Sequence, residues 1–254
     1  MSVAASASPT TDSITPDSKV WFITGCSRGL GRALAIAACS RGHVIAAAKE
    51  IDSIRDLEHL GCETLQLDAT ASDDTVEQVI AAAQAIHGRI DILVNTISSA
   101  SNATDEEKGH PEMLRSLEPD VLGLAKVTAA VALHMRAQRS GTIATIGSSC
   151  DYEKLPAWQK TKLAITVIAH ALCDDTVPVG IEMATIEPGS FQTSSIRISR
   201  RLEDTLAEYK PIVASMAART AELTQGEGSE MSSRLMVDAL SVFSNRIVIL
   251  LLQC

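Results

Sequence analysis

The segment TGCSRGLG, at residues 24–31, restricts the possible folds of this 254-residue chain more than any other segment. It joins a short apolar run to a segment with helical periodicity, and its three glycines are Gly25, Gly29 and Gly31. Glycines so placed permit a tight turn and let the backbone approach a ligand closely. The helix that follows offers free N–H groups and the positive end of its dipole, which suit a phosphate. The segment therefore predicts a phosphate-binding turn between a strand and a helix.

Apolar runs of strand length alternate with helical patterns along the chain. The expected strands are KVWFIT, HVIAAAK, ETLQLDAT, RIDILVNT, GTIATIGSS, GIEMATIEPG and RIVILLL. The expected helices include GRALAIAACSRG, closing at Gly42, the short IRDLEHLG, DDTVEQVIAAAQAIHG with an Asp cap and a Gly stop, EPDVLGLAKVTAAVALHMRAQ and WQKTKLAITVIAHALCDD. This order predicts an α/β fold with a doubly wound parallel sheet of Rossmann type, in a single domain over residues 19–254.

Charge and composition exclude several classes of partner. Residues 1–18 are rich in Ser, Thr, Ala and Pro, and a flexible tail is expected there rather than a secretory signal. The net charge of -9 and the lack of a long basic patch argue against nucleic acid as a partner. No apolar run reaches the roughly 18 residues that a membrane span needs. These features favour a cytoplasmic protein.

The six cysteines are scattered without a C-x-x-C pair, which is typical of reduced, buried thiols in a cytosolic protein. The histidines are also dispersed along the sequence. None has a partner at the sequence spacing of metal ligands, so no metal site is expected.

In this setting TGCSRGLG resembles the T-G-x-x-x-G-x-G turn of the short-chain dehydrogenase/reductase family. Further segments resemble family motifs in the same order: LQLDAT, DILVN, GTIATIGSS and IEPGSFQT. The resemblance covers roughly residues 19–193, with a looser C-terminal part. It implies a nicotinamide cofactor, with Asp68 at the adenine, Asn95 before the ribose and Thr193 at the nicotinamide end. The implied cofactor-binding set is Gly25, Ser27, Arg28, Gly29, Leu30, Gly31, Lys49, Asp68, Asn95, Lys162 and Thr193.

The end of the second strand bears on which cofactor is used. NAD-binding folds often place an acid there for the ribose 2′-hydroxyl, whereas a base suits the 2′-phosphate of NADP. Alignment with the family puts Ala48 at the acid position and Lys49 beside it, with Arg28 as a second nearby cation. These residues favour NADP(H). Glu50 is an acid next to Lys49 and argues against this choice. The alternative interpretation of Lys49 and Arg28 is that they are ordinary solvated surface charges without a ligand.

The family's catalytic chemistry uses Asn, Ser, Tyr and Lys, and this chain matches that set only in part. Lys162 and Ser149 match the lysine and the substrate-orienting serine. Trp158 stands at the tyrosine position of Y-x-x-x-K, and Asp120 stands at the asparagine position, in DVLG. An indole cannot exchange a proton near neutral pH, so the general acid of the family is missing.

The chain has only two tyrosines, Tyr152 and Tyr209, and neither heads a Y-x-x-x-K motif. A shift of the alignment therefore cannot restore the family acid. Tyr152 lies three residues after Ser149 and, together with Asp151, is a candidate substitute. The alternative is a loop tyrosine that packs on the surface.

Three functions remain open on this sequence. The first is an NADP(H)-dependent reductase with an altered proton route, acting on a small carbonyl, alcohol or iminium of specialised metabolism. The second is a non-redox cyclase, isomerase or dehydratase in which Trp158 forms a wall of the pocket. The third is a cofactor-binding subunit without chemistry. The two long apolar helices favour a homodimer or homotetramer, although their own chain could also cover them.

Overall fold

Seven parallel strands form the centre of the molecule in the computed structural model, which describes residues 18–97, 117–147, 179–188, 229–241 and 248–252. The strands are β1 (Lys19–Ile23), β2 (Gly42–Ala48), β3 (Cys62–Gln66), β4 (Ile92–Asn95), β5 (Gly141–Ile146), β6 (Ile181–Pro188) and β7 (Val248–Leu252). Their order across the sheet is β3-β2-β1-β4-β5-β6-β7, and every neighbouring pair is parallel. The predicted doubly wound parallel sheet is confirmed, while most of the predicted N-terminal tail lies outside the described residues.

Helices cover both faces of the sheet. They are α1 (Gly29–Ala38), α2 (Asp73–His87), α3 (Leu124–Gln138) and α4 (Ser229–Ser241). Alternate residues of β1 enter different cores: Trp21 and Ile23 pack in the cluster that contains residues of α1 and α4. Val20 and Phe22 pack in the cluster that contains residues of α2 and α3. Burying one such large side chain contributes about 1.5–3 kcal/mol, so the apolar runs fix the layer order.

The first helix ends earlier than its sequence pattern predicts. α1 stops at Ala38, and Gly42 begins β2 instead of closing the helix. The backbone N–H of Arg41 donates to the carbonyl of Ala38 at 2.8 Å, which turns the chain back toward the sheet. A Cβ at position 42 would overlap the carbonyl oxygen of Lys19, so the glycine serves close strand packing.

Three other elements differ from the prediction in helix type, cap residue or start. IRDLEHLG forms 3-10 turns rather than an α-helix, with Arg55–Leu60 as the longer one. The cap of α2 is Ser72, whose hydroxyl accepts from the N–H of Thr75 at 3.3 Å, and not the aspartate that follows it. Gly88, at φ 73°, ends α2 as expected. A π-helical stretch, Glu118–Gly123, leads into α3.

None of the described helices is both long and apolar enough to cross a membrane.

Candidate cofactor and active site

The glycine turn connects β1 to α1 at the carboxyl edge of the sheet. Gly25 and Gly29 have φ values of 69° and 60°, a backbone region that side-chain-bearing residues rarely adopt. The backbone N–H of Cys26 donates to the carbonyl of Ala47 at 2.9 Å, which fixes the turn against the end of β2. The predicted turn is therefore formed by the residues that its sequence indicates.

Gly31 lets the start of α1 approach the end of β4. A Cβ at Gly31 would overlap both the hydroxyl of Thr96 and the carbonyl of Gly25. The Thr96 hydroxyl donates to the carbonyl of Thr24 at 2.5 Å, and the Thr96 N–H donates to the Thr24 hydroxyl at 3.2 Å. Thr96 thus ties the turn to β4, a role that no motif in the sequence indicated.

The first turn of α1 has the features that a pyrophosphate needs. Arg28 is the N-cap residue, yet no side chain caps the helix and no acid lies in its first turn. In α2, by contrast, Ser72 caps the helix and acids occupy the first turn. Ser27 and Arg28 are exposed at the turn. Free N–H groups at a helix start attract phosphate oxygens, so the residues present fit a dinucleotide.

Lys49 and Asp68 meet beyond the ends of β2 and β3. The Lys49 ammonium lies 2.9 Å from a carboxylate oxygen of Asp68. The other oxygen of Asp68 accepts from the N–H and the hydroxyl of Thr70, at 2.9 and 2.6 Å. Burial raises the pKa of Asp68, but hydrogen bonds from Lys49 and Thr70 outweigh it and lower that pKa to about 2. Asp68 is therefore a fixed anion at the expected adenine position.

Asp68 should make stability depend on pH in the acid range. Its pKa is about 2 in the folded chain, below the ordinary value of 3.8. A lowered pKa stabilises the fold above the unfolded value, and that contribution is lost as the pH falls from about 4 through about 2. As the pH falls from about 4 to about 2, the urea midpoint of unfolding should therefore fall less steeply in Asp68→Asn than in wild type. Because the pair is largely exposed, the difference should be small and should shrink in high salt. Parallel pH profiles of the two proteins would contradict the account.

Asn95 and Thr145 are register partners at the carboxyl ends of β4 and β5. The Asn95 amide donates to the hydroxyl of Thr128 at 2.9 Å, and Asn95 is 1 % exposed. The Asn95 amide oxygen and the Thr145 hydroxyl are buried without a hydrogen-bond partner among the described residues. Unpaired buried polar atoms are rare and call for a partner such as water or a ligand. Ligands of open α/β sheets bind at this edge.

Asp120 is buried, with 2 % exposure, in the π-helical stretch before α3. Single π-helical turns occur often at functional sites. Asp120 lies in the same part of the chain as the asparagine that the family resemblance implies. The structure shows that this carboxylate is buried, and its match to the family's asparagine stays a prediction.

Five predicted residues lie outside the described residues and stay predictions: Ser149, Tyr152, Trp158, Lys162 and Thr193. Ser149 comes three residues after β5, and Thr193 comes five residues after β6. Both strands end at the edge where the glycine turn and Asn95 lie.

Comparison with known proteins places this geometry in a family. The family model for short chain dehydrogenases matches residues 19–204. Oxidoreductase BOA17 of Botryotinia fuckeliana (strain B05.10) is 32% identical over 222 residues, covering 84% of this chain and 80% of that protein. The NADPH-dependent 1-acyldihydroxyacetone phosphate reductase of Schizosaccharomyces pombe is 26% identical over 180 residues, covering 69% of this chain and 60% of that enzyme.

The same assignment follows from solved structures. A short-chain dehydrogenase from Streptomyces avermitilis superposes with a TM-score of 0.77 at 26% identity, covering 93% of this chain and 89% of that one. The residues that the family model matches, 19–204, contain the glycine turn, the Lys49–Asp68 pair and the edge of the sheet at Asn95. The family that the motifs predicted is confirmed: this chain belongs to the short-chain dehydrogenases and is a short-chain oxidoreductase.

Proposed function

We propose that this chain is an NADP(H)-dependent short-chain oxidoreductase with an altered proton route. Its substrate would be a small carbonyl, alcohol or iminium compound of specialised metabolism. The observation that carries the proposal is Lys49, which follows the buried Ala48 at the end of β2 and whose side chain is 64% exposed. A cation at this point suits a 2′-phosphate, whereas a ribose 2′-hydroxyl calls for an acid.

The charges around Lys49 support a phosphate ligand. Its ammonium carries three N–H donors, and one interaction with Asp68 leaves donors for a phosphate oxygen. Arg28 adds a second exposed cation in the glycine turn. Glu50 is also exposed and opposes this preference through its negative charge. The related Schizosaccharomyces pombe reductase is NADPH-dependent, which agrees with the proposed choice.

The bound cofactor would supply or accept the hydride, and the chain's residues would hold both partners. The turn at Gly25–Gly31 would bind the pyrophosphate, and Lys162 would hydrogen-bond the nicotinamide ribose. Holding two reactants in line can contribute about 7–11 kcal/mol. A general acid typically contributes about 10²- to 10⁴-fold, or roughly 3–5.5 kcal/mol. Trp158 would therefore weaken ketone reduction without abolishing hydride transfer.

The altered site suits substrates that need no proton on oxygen. A ketone that accepts hydride becomes an alkoxide and requires a proton. An iminium ion becomes a neutral amine on the same step and requires none. Trp158 would favour such a cation through its ring face, and the Asp120 carboxylate, which is buried, would add negative charge where it faces the substrate. Tyr152 is the proposed substitute acid for substrates that do need one.

Removing the Lys49 ammonium should reduce NADPH affinity selectively. Lys49→Ala should weaken NADPH binding by about tenfold or more, since a charged hydrogen bond contributes about 1.5–3 kcal/mol. NADH binding should change much less, because NADH has no 2′-phosphate. Fluorescence titration of both cofactors against wild type and Lys49→Ala gives the ratio of the two affinities.

The same comparison contains its own controls. Lys49→Ala also removes the partner of Asp68, and any disturbance at the adenine affects NADPH and NADH alike. Arg55→Ala removes one exposed positive charge that pairs with Asp52, and it should leave the ratio unchanged. Equal losses of NADPH and NADH affinity in Lys49→Ala would contradict the proposed NADP preference.

We also propose a homodimer or homotetramer and a cytoplasmic location. Leu122 lies just before α3 and Leu133 lies within it. Their side chains are 62% and 49% exposed, which suits a subunit contact through this helix. The second long apolar helix of the prediction lies outside the described residues. Free thiols at Cys26, Cys39 and Cys62 suit a reducing compartment.

A further inference from the structure

We propose that His43, Glu63 and His87 form a binding site for a divalent transition-metal ion, with zinc as the best match. The three residues are far apart in the sequence, and their spacing predicts no metal site. The structure brings one ligand atom from each of them within 4.8 Å of the others. The inference does not depend on the proposed redox activity.

The fold itself brings these three side chains together. His43 and Glu63 are the second residues of β2 and β3, and Glu63 is the register partner of Ile45. Side chains two residues apart on a strand share a face, so His43, Ile45 and Glu63 point to one side of the sheet. Ile45 packs in the core that contains residues of α2. His87 is the last residue of α2, so it reaches the edge where parallel strands begin.

The distances between the three side chains are close to those of a metal centre. Nε2 of His87 lies 3.0 Å from Oε1 of Glu63. The rings of His43 and His87 have centroids 4.3 Å apart at an interplanar angle of 31°. Zinc binds imidazole nitrogen at about 2.0–2.1 Å, which puts tetrahedral ligands about 3.4 Å apart. Small side-chain rotations would therefore close the cluster around one ion.

The electrostatics of the cluster also favour a cation. Oε2 of Glu63 is buried and has no hydrogen-bond partner among the described residues. A metal ion would engage this carboxylate and remove the cost of leaving that oxygen unpaired. The carbonyl end of α2 carries the negative end of the helix dipole, and His87 lies there. All three residues are half-buried, so an ion could enter and retain a solvent ligand.

The donor set selects the class of metal. Two imidazoles and one carboxylate suit zinc and similar transition ions, whereas magnesium and calcium prefer oxygen ligands. A competing zinc ligand exists nearby, because the thiols of Cys39 and Cys62 lie 2.9 Å apart. Cys62 packs in the core on the other face of the sheet, beside α1. The test must therefore separate imidazole ligands from thiolate ligands.

The site lies away from the proposed cofactor site. His43 is near the start of β2 and Lys49 follows its end, so the two sites occupy opposite edges of the sheet. Ala48 lies five positions along the strand from His43, which is on the order of 16 Å. The ion would join β2, β3 and the end of α2, so it should stabilise the fold without taking part in hydride transfer.

Zinc titration of the full chain in competition with a chromophoric chelator tests the proposal. We expect wild type to bind one equivalent of Zn²⁺. The zinc affinity should fall at least about tenfold in Glu63→Gln and in His87→Gln. Mutating a residue that only hydrogen-bonds a metal ligand already costs about 10- to 100-fold in affinity, and loss of the ligand itself should cost more. His43→Gln is the replacement test if either of these variants fails to fold. His59→Gln, which changes an exposed histidine outside the cluster, should bind as wild type does. At the same zinc concentration, zinc should raise the melting temperature of wild type more than that of Glu63→Gln.

Cobalt substitution identifies the ligands directly. Co²⁺ bound to the proposed site should give visible d–d bands without a thiolate charge-transfer band, and Cys62→Ser should leave the spectrum unchanged. Three results would overturn the proposal: no zinc binding, zinc affinity in the Glu63 and His87 variants equal to that of wild type, or a thiolate band that Cys62→Ser removes.

Discussion

Gly31→Ala is expected to destabilise the chain and to abolish NADPH binding at concentrations that saturate the wild type. The new Cβ would overlap the Thr96 hydroxyl and the carbonyl of Gly25. A threonine side chain can rotate, but the Gly25 carbonyl belongs to the phosphate turn itself. The turn must therefore move away from the start of α1, and overpacking of this kind costs about 1–3 kcal/mol. Denaturant unfolding and NADPH fluorescence measure the two effects.

Two control variants separate the overlap from other causes. Gly61→Ala changes a glycine at φ 93° with open space around its Cβ position, so it should cost about 1–2 kcal/mol and leave cofactor binding intact. The double variant Gly31→Ala with Thr96→Ala removes one of the two contacts and should recover stability only partly. Full NADPH affinity in Gly31→Ala would contradict the assignment of the turn to the cofactor.

Trp158→Tyr is expected to raise the rate of ketone reduction by about 10²- to 10⁴-fold. The substitution would return a proton donor to a site that, on this account, already holds the cofactor and orients the carbonyl. The matched control is Trp158→Phe, which opens similar space but cannot transfer a proton. NADPH oxidation followed by absorbance, with a panel of small cyclic and aryl ketones, compares the three proteins.

Equal rates in the tyrosine and phenylalanine variants would contradict the expectation. The family resemblance implies a longer interval than the one from Ser149 to Trp158, so a tyrosine at 158 must still reach the substrate oxygen. The comparison therefore tests the geometry of the site as well as its missing acid.

The sheet was predictable because buried parallel strands are apolar on both faces. Runs such as HVIAAAK and DILVN cannot be exposed, and the helical patterns between them fix a parallel order. The glycine turn was predictable for a similar reason, since Gly25 and Gly29 adopt φ values that few other residues tolerate. Local rules of this kind can be read from a few neighbouring residues.

Contacts between distant segments could not be predicted in the same way. The hydrogen bonds of Thr96 to Thr24 and the pairing of Lys49 with Asp68 each depend on how two strand ends are placed. The register that aligns Asn95 with Thr145 likewise depends on the assembled sheet. The ends of the helices were also hard to predict from the sequence. Capping of α2 by Ser72 and the early end of α1 each depend on single hydrogen bonds.

Fluorescence titration of the wild-type chain with NADPH is the direct test of whether the glycine turn and Lys49 bind this cofactor. We expect saturable binding at one site per chain, tighter for NADPH than for NADH and absent in Gly31→Ala. The free N–H groups at the start of α1 and the exposed Lys49 ammonium are the physical basis of that prediction. Failure of the folded wild-type chain to bind either cofactor at high micromolar concentration would contradict it.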